Sequence, residues 1–154
     1  MTDLAARLDN LQPVPVVRVF IEELGTQHAV APDRRAGYVS LRPTLRDPIA
    51  VYVHRNRISI AITPPDAEAA ASRIDGAEIV RATPATSYVI LTAAALQGRE
   101  AIAFELALAA LQWRANGVRR GLGTGGRDAS TAVEPDLCPD CWTELSASGS
   151  CFCE

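Results

Sequence analysis

The sequence predicts an α+β protein in which an antiparallel-rich sheet of about five strands carries helices packed on one face. Three observations predict this class. Hydrophobic residues make up 48% of the 154-residue chain, which is enough for a packed core. Short segments that alternate between apolar and polar residues, as strands do, are separated by turn residues. Longer segments with helical spacing lie around them, giving the order α-α-β-β-β-α-β-β-α.

Two helices are predicted at the start of the chain. The leucines of LAARLDNL fall on one helical face, and Pro13 ends that helix. PVVRVFIEELG also repeats its apolar residues at helical spacing, with Pro15 suited to the first turn and Gly25 to the end. Its β-branched residues leave a strand open as the alternative.

Five strands are predicted from alternation in GYVSLR, IAVYVH, RISIAI, EIVRA and SYVILT. HRNR, between the second and third, predicts a tight hairpin in which Asn56 takes a left-handed turn conformation. After the third strand, TPPDAEAAASRIDG predicts a helix that Thr63 caps and Gly76 ends. The last helix is predicted over REAIAFELALAALQWRANG and ends at Gly117.

Composition changes after Gly117, and the chain divides into three predicted parts. These are an α+β domain at 1–117, a flexible Gly/Arg linker at 118–133 and a zinc-binding tail at 134–154. The linker lacks hydrophobic periodicity and is rich in glycine and small polar residues. Its GLGTGG satisfies G-x-G-x-x-G, but it follows a helix rather than a strand and so does not predict a dinucleotide site.

All four cysteines lie at the end of the chain, in CPDCWTELSASGSCFCE. A C-x2-C pair followed by a C-x-C pair allows four thiolates to surround one tetrahedral ion, which favours Zn2+. An iron–sulfur cluster is the alternative, and disulfides are disfavoured in a reducing compartment. Four protein thiolates would leave no open position for water, so the zinc would be structural. The predicted ligands are Cys138, Cys141, Cys151 and Cys153.

Residues 137–153 resemble the short zinc ribbons of the form CPxCxxEL…G…CxxC that are common as tails on bacterial proteins. The resemblance rests on CPDCWTEL, on Gly149 and on the final cysteine pair. The chain departs from the pattern at Trp142 and in its C-x-C second pair. The resemblance implies four metal ligands and no particular substrate. Residues 1–117 show no family motif.

Every one of the 15 basic residues is an arginine, because the chain contains no lysine. A P-loop and Schiff-base chemistry are therefore excluded. Residues 34–57 hold six arginines against one acid, Asp47. Guanidinium groups pair with phosphate oxygens, and tyrosines on a sheet stack unpaired bases. The predicted nucleic-acid-binding residues are Arg34, Arg35, Arg42, Arg46, Tyr52, Arg55 and Arg57.

The sequence therefore favours a binding module without chemistry of its own, with DNA or RNA as its partner. An alternative is an adaptor that docks a protein partner through Trp142 and Phe152. A second is a metal-dependent hydrolase or nuclease centred on His54, with Asp33 and Asp47 brought to it by the fold. If none of these roles applies, the arginines of residues 34–57 form a solvated surface with no binding role.

The acidic tail offers a further interpretation of the charge pattern. Residues 128–154 carry six acids and no base, so the tail could fold back and mask the arginine-rich face.

The start of the chain has neither the basic nor the apolar part of a secretion signal. No apolar run approaches the roughly 18 residues that a membrane span requires. We therefore expect a cytoplasmic protein with no membrane partner.

Overall fold

The computed structural model describes residues 2–123, which form five helices and one six-stranded sheet. The helices are α1 (Thr2–Leu11), α2 (Pro15–Gln27), α3 (Pro64–Ala71), α4 (Ala93–Leu96) and α5 (Glu100–Gly123). The strands are β1 (Ala31–Arg35), β2 (Tyr38–Arg42), β3 (Val51–Val53), β4 (Arg57–Ile62), β5 (Glu78–Arg81) and β6 (Ser87–Thr92). The predicted α+β class is confirmed, with six strands in place of about five.

The sheet is antiparallel throughout, in the order β1-β2-β3-β4-β6-β5. The first four strands follow one another as a meander. After β4 the chain crosses through α3 to β5 at the far edge and then returns as β6 beside β4. This crossover places β6 in the interior of the sheet between β4 and β5, next to a strand from which it is separated in sequence.

The additional strand is β1, whose sequence APDRR shows no apolar alternation. Proline is tolerated there because β1 lies at the edge of the sheet. The strand is held by its neighbour: Arg34 pairs with Val39, and Ser40 Oγ donates a hydrogen bond of 3.3 Å to the carbonyl of Asp33. Its conformation therefore comes from pairing rather than from its own composition.

Two predicted helix ends were wrong because a glycine lies inside the helix. α2 continues past Gly25 to Gln27, and α5 continues past Gly117 to Gly123. A Cβ at Gly25 would lie 2.6 Å from Leu4 Cδ2, so this glycine permits the close approach of α1. The extension of α5 makes the first six residues of the predicted linker helical.

Two turns also differ from their predictions. α3 ends at Ala71, and Gly76 lies in the later turn before β5 with a φ of 81°. Between β3 and β4, His54 N donates to the carbonyl of Arg57 at 2.9 Å. Asn56 is not left-handed there, since among the described non-glycine residues only Gln12 has a positive φ, of 55°.

All five helices pack against the same face of the sheet and form one core with it. Apolar residues of α1, α2 and α5 meet the inward side chains of β2, β3, β4 and β6. The rings of Phe20 and Phe104 contact edge to face, with centroids 6.1 Å apart. This layer buries the apolar stripe of each helix and leaves the opposite face of the sheet as a separate surface. No helix within residues 2–123 is long and apolar enough to cross a bilayer.

Candidate functional site

The face of the sheet opposite the helices carries all three tyrosines of the chain. Tyr38, Tyr52 and Tyr88 come from β2, β3 and β6. The ring centroids of Tyr38 and Tyr52 are 5.6 Å apart, and those of Tyr52 and Tyr88 are also 5.6 Å apart. The ring of His54 extends the row, 5.8 Å from that of Tyr38. We call this surface the tyrosine face.

Small side chains form the floor between these rings. Strand register places Ser40 beside Tyr52 and Tyr52 beside Ser59, while Ala61 pairs with Tyr88. Ser40, Ser59 and Ala61 are fully buried. The Ser59 hydroxyl makes no hydrogen bond in the described part of the chain. A polar group therefore sits without a partner in the middle of the face.

The tyrosine face is a second buried cluster, distinct from the helix core. Tyr38 is 5% exposed, Tyr52 3% and Tyr88 2%, and His54 is 6% exposed. Ile49 completes the cluster at its margin. None of the helices in residues 2–123 contributes an apolar residue to it.

One charged side chain of the helix layer does reach the margin of this cluster. Arg114 of α5 is buried, and its Nε donates to the carbonyl of Ile49 at 3.1 Å. Its guanidinium carbon lies 4.3 Å from the centroid of the Trp113 ring. This hydrogen bond places residue 114 of α5 at the margin of the tyrosine face.

Three of the six predicted arginines lie on the tyrosine face. By strand register these are Arg35, Arg42 and Arg57, each on a different strand. Arg35 Nε is 3.3 Å from Asp33 Oδ2. Arg42 Nη1 donates to the carbonyl of Asp47 at 3.5 Å, and its buried Nε has no hydrogen bond within the described residues. These three side chains border the aromatic row.

The other three arginines point elsewhere or lie in turns, and all three are exposed. Arg34 pairs with Val39, which faces the helix core, so it lies on the helix side of the edge strand. Arg46 lies between β2 and β3. Arg55 Nε donates to the carbonyl of Leu11 at the end of α1, at 3.0 Å. The arginines that are neighbours in sequence thus divide between two sides of the sheet.

The three residues of the predicted hydrolase site are held by separate partners. Asp47 is buried and accepts a hydrogen bond of 2.9 Å from Thr44 Oγ1. Asp33 pairs with Arg35, and His54 lies against Tyr38. Across residues 2–123, no three His, Cys, Asp or Glu side chains are grouped so that they could hold a metal ion.

The predicted metal ligands and the predicted docking residues of the tail lie outside the described residues. These are Cys138, Cys141, Cys151 and Cys153 for the metal, and Trp142 and Phe152 for a protein partner.

Several contributors to the face were not predicted as site residues, among them Tyr38, Ser59 and Tyr88. The available signal was alternation, since SYVILT and RISIAI each place one of them opposite to inward apolar residues. Alternation alone does not reveal that β4 pairs with β6. This pairing places Ser59 opposite Ile90 and Tyr88 opposite Ala61.

No protein-family model matches the chain, and neither the curated proteins nor the solved structures include one that is significantly similar to it. Function is therefore inferred from the chemistry of the tyrosine face and of the arginines around it.

Proposed function

We propose that this protein is a non-enzymatic binding module that contacts single-stranded DNA or RNA through the tyrosine face. The supporting observation is the row of four aromatic rings, with neighbouring centroids 5.6–5.8 Å apart, on the same side of the sheet as three arginines. Aromatic rings on a sheet surface stack unpaired bases, and each stacked base contributes about 1–3 kcal/mol. The arginines Arg35, Arg42 and Arg57 would pair with the phosphates beside those bases.

The unpartnered hydroxyl of Ser59 supports the same role. Burying a hydroxyl without a hydrogen bond costs roughly 1–3 kcal/mol in proteins. The face keeps such a group at 0% exposure between its aromatic rings. A hydroxyl in this position would bond to a base edge or a sugar oxygen of a strand lying across the rings.

Ligand access requires an opening step, because the four rings are only 2–6% exposed. A nucleic acid would bind the fraction of molecules in which the face is uncovered. The apparent affinity would therefore be the intrinsic affinity reduced by that fraction.

The proposal is tested by fluorescence anisotropy with labelled single-stranded DNA and RNA over a range of salt concentrations. We expect log K to fall linearly with log salt, with a slope of about −0.7 per phosphate contact. The double variant Arg35→Ala/Arg57→Ala should lower affinity roughly tenfold or more at 0.1 M salt and make the slope shallower by about 1 to 1.4. Absence of binding over the whole range of salt concentrations would refute the proposal.

Two controls distinguish this surface from general arginine or folding effects. Arg73→Ala removes an exposed arginine that pairs with Glu105 at 3.6 Å on the helix side, and it should leave affinity unchanged. Tyr52→Phe keeps the stacking ring and should bind as the wild type does. Tyr52→Leu should weaken binding by about tenfold, the lower part of the range for one lost base stack.

The cysteine spacing supports a second proposal, that the tail binds one structural Zn2+ through Cys138, Cys141, Cys151 and Cys153. Protein purified under reducing conditions should contain one zinc per chain by elemental analysis. Cys138→Ser/Cys141→Ser should lose that zinc, since two ligands cannot replace four. Iron in place of zinc, or no bound metal, would contradict this assignment.

A further inference from the structure

The tyrosine face is closed to solvent even though none of the described helices covers it. Ser59 and Ala61 are 0% exposed, and short side chains cannot shield themselves from water on an open sheet. The contrast is β5, where Glu78 faces the same side of the sheet in register with Ile90 and is exposed. Something therefore covers the central strands and leaves the edge strand open.

We propose that residues 124–154 of the same chain dock on the tyrosine face and cover it. All five helices of the described chain belong to the other core, so they do not supply the cover. This inference does not depend on which ligand the face binds.

Arg114 lies at the margin of the tyrosine face, and the chain that follows it is long enough to cover the face. Arg114 contacts the carbonyl of Ile49, which belongs to the tyrosine cluster. From there α5 continues for nine residues, about 13 Å, before the last 31 residues begin. That segment spans up to roughly 100 Å when extended, whereas β2 and β6 are separated by three strand spacings, about 14 Å.

Charge on the two parts of the chain is complementary. Residues 2–123 contain 14 arginines and 12 carboxylates, whereas residues 124–154 contain one arginine and six carboxylates. The face itself carries Arg35, Arg42 and Arg57 on its strands. Acidic side chains of the last segment would pair with these arginines, and Trp142 and Phe152 would supply apolar surface against the tyrosines.

Docking of this segment makes it an intramolecular competitor for any anionic ligand of the face. Opening would then be set by salt concentration and by ligands of the segment itself, because both act on the same charged contacts.

Photo-crosslinking in the full-length protein tests the occupant directly. p-Benzoylphenylalanine replaces Ile90, which is half-buried and lies beside Ser59 on the tyrosine face. The control replaces Val19, which is 61% exposed on α2. We expect adducts from position 90 to peptides of residues 124–154 within one chain, and none to that segment from position 19. Adducts confined to residues 2–123, adducts that join two chains, or no adduct at all would overturn the proposal.

Tyrosine nitration provides a second measurement on side chains that the crosslinker does not replace. All three tyrosines of the chain lie on this face, so nitration by tetranitromethane reports on it alone. The full-length variant Glu134→Gln/Asp136→Asn/Asp140→Asn should be nitrated at least threefold faster than the wild type. The matched control Glu23→Gln/Glu68→Gln/Asp75→Asn neutralises three exposed acids elsewhere and should be nitrated at the wild-type rate. Equal rates for all three proteins would overturn docking by charge.

The two proposals fail separately. If the crosslink to residues 124–154 is not found but salt-dependent nucleic-acid binding is, only the docking proposal is refuted. A docked segment without any nucleic-acid binding removes only the proposed ligand.

Discussion

Replacing Ser59 by alanine is expected to stabilise the protein, although serine and alanine are close in size. Ser59 is fully buried on the tyrosine face, and its hydroxyl makes no hydrogen bond in the described part of the chain. Ser40 lies two strands away in the same register row and is equally buried. Its hydroxyl differs in donating to the carbonyl of Asp33 at 3.3 Å. The same substitution at these two positions should therefore have opposite effects.

The magnitudes follow from the hydrogen bonds. Removing the unpartnered hydroxyl of Ser59 relieves a burial penalty of about 1–3 kcal/mol. Part of this gain is offset because the lost oxygen forfeits dispersion contacts of about 0.1–0.2 kcal/mol each. A net gain of about 1 kcal/mol remains. At Ser40 the loss of one hydrogen bond should destabilise by about 0.5–1.5 kcal/mol.

Thermal and urea unfolding of the two full-length variants measure this difference. For a domain of this size, 1 kcal/mol changes Tm by roughly 4 °C, so Ser59→Ala should unfold about 4 °C above the wild type. Ser40→Ala should unfold about 4 °C below it, with the urea m-value unchanged in both. Ser59→Ala should also weaken oligonucleotide binding if the hydroxyl serves the ligand. A Ser59→Ala protein no more stable than the wild type would refute the reasoning, because the hydroxyl would then have a partner in the folded state.

Three further predictions concern the helix core, the buried Arg114 and the start of α5. Ile60 is 0% exposed, so Ile60→Ala should lower the free energy of unfolding in urea by about 2–5 kcal/mol. The edge-strand control Ile79→Ala, at 36% exposure, should lower it by less than about 1 kcal/mol. Equal losses would contradict the assigned core. Arg114→Met should destabilise the protein by about 1–3 kcal/mol, because the buried carbonyl of Ile49 would lose its donor. Arg99→Met, at an exposed position, should change the free energy of unfolding by no more than about 0.5 kcal/mol in the same assay. At the first turn of α5, backbone N–H groups of Glu100 itself and of Gly98 hold the pKa of the Glu100 carboxyl below its ordinary value. Glu100→Gln should therefore lower Tm at pH 7, and this difference should vanish as the pH falls through the pKa of the folded carboxyl; a difference that is independent of pH would argue against those hydrogen bonds.

Four of the five predicted strands bury one side against the helices. In β2, β3, β4 and β6 the inward residues are Val, Leu or Ile at every second position, so period-2 alternation is visible in the sequence. β1 has no such pattern because its pairing with β2, rather than its own apolar residues, holds it in place. The helix end predicted at Gly25 was wrong for a related reason. The glycine is required by the close approach of Leu4, and this contact between two helices is not visible in the local sequence.

The site was less predictable than the fold because its residues come together through non-local pairing. Tyr52 and His54 are two residues apart, so the alternation of an extended chain is enough to place them on one face. The position of Tyr88 depends on β6 returning beside β4, which no local pattern encodes. The arginines were predicted as one group from their proximity in sequence. Arg34 and Arg35 are adjacent residues of a strand, however, so they point to opposite faces of the sheet.

The two margins of the sheet have a consequence for how the protein behaves at high concentration. An outer strand with free backbone groups is a template on which another chain can add. Here one margin is β1, which contains Pro32, and the other is β5, whose exposed Glu78 and Arg81 carry charge. Proline and ionised side chains are the features by which natural sheets resist side-by-side growth. Both edge strands of the sheet therefore disfavour the strand addition that leads to fibrils.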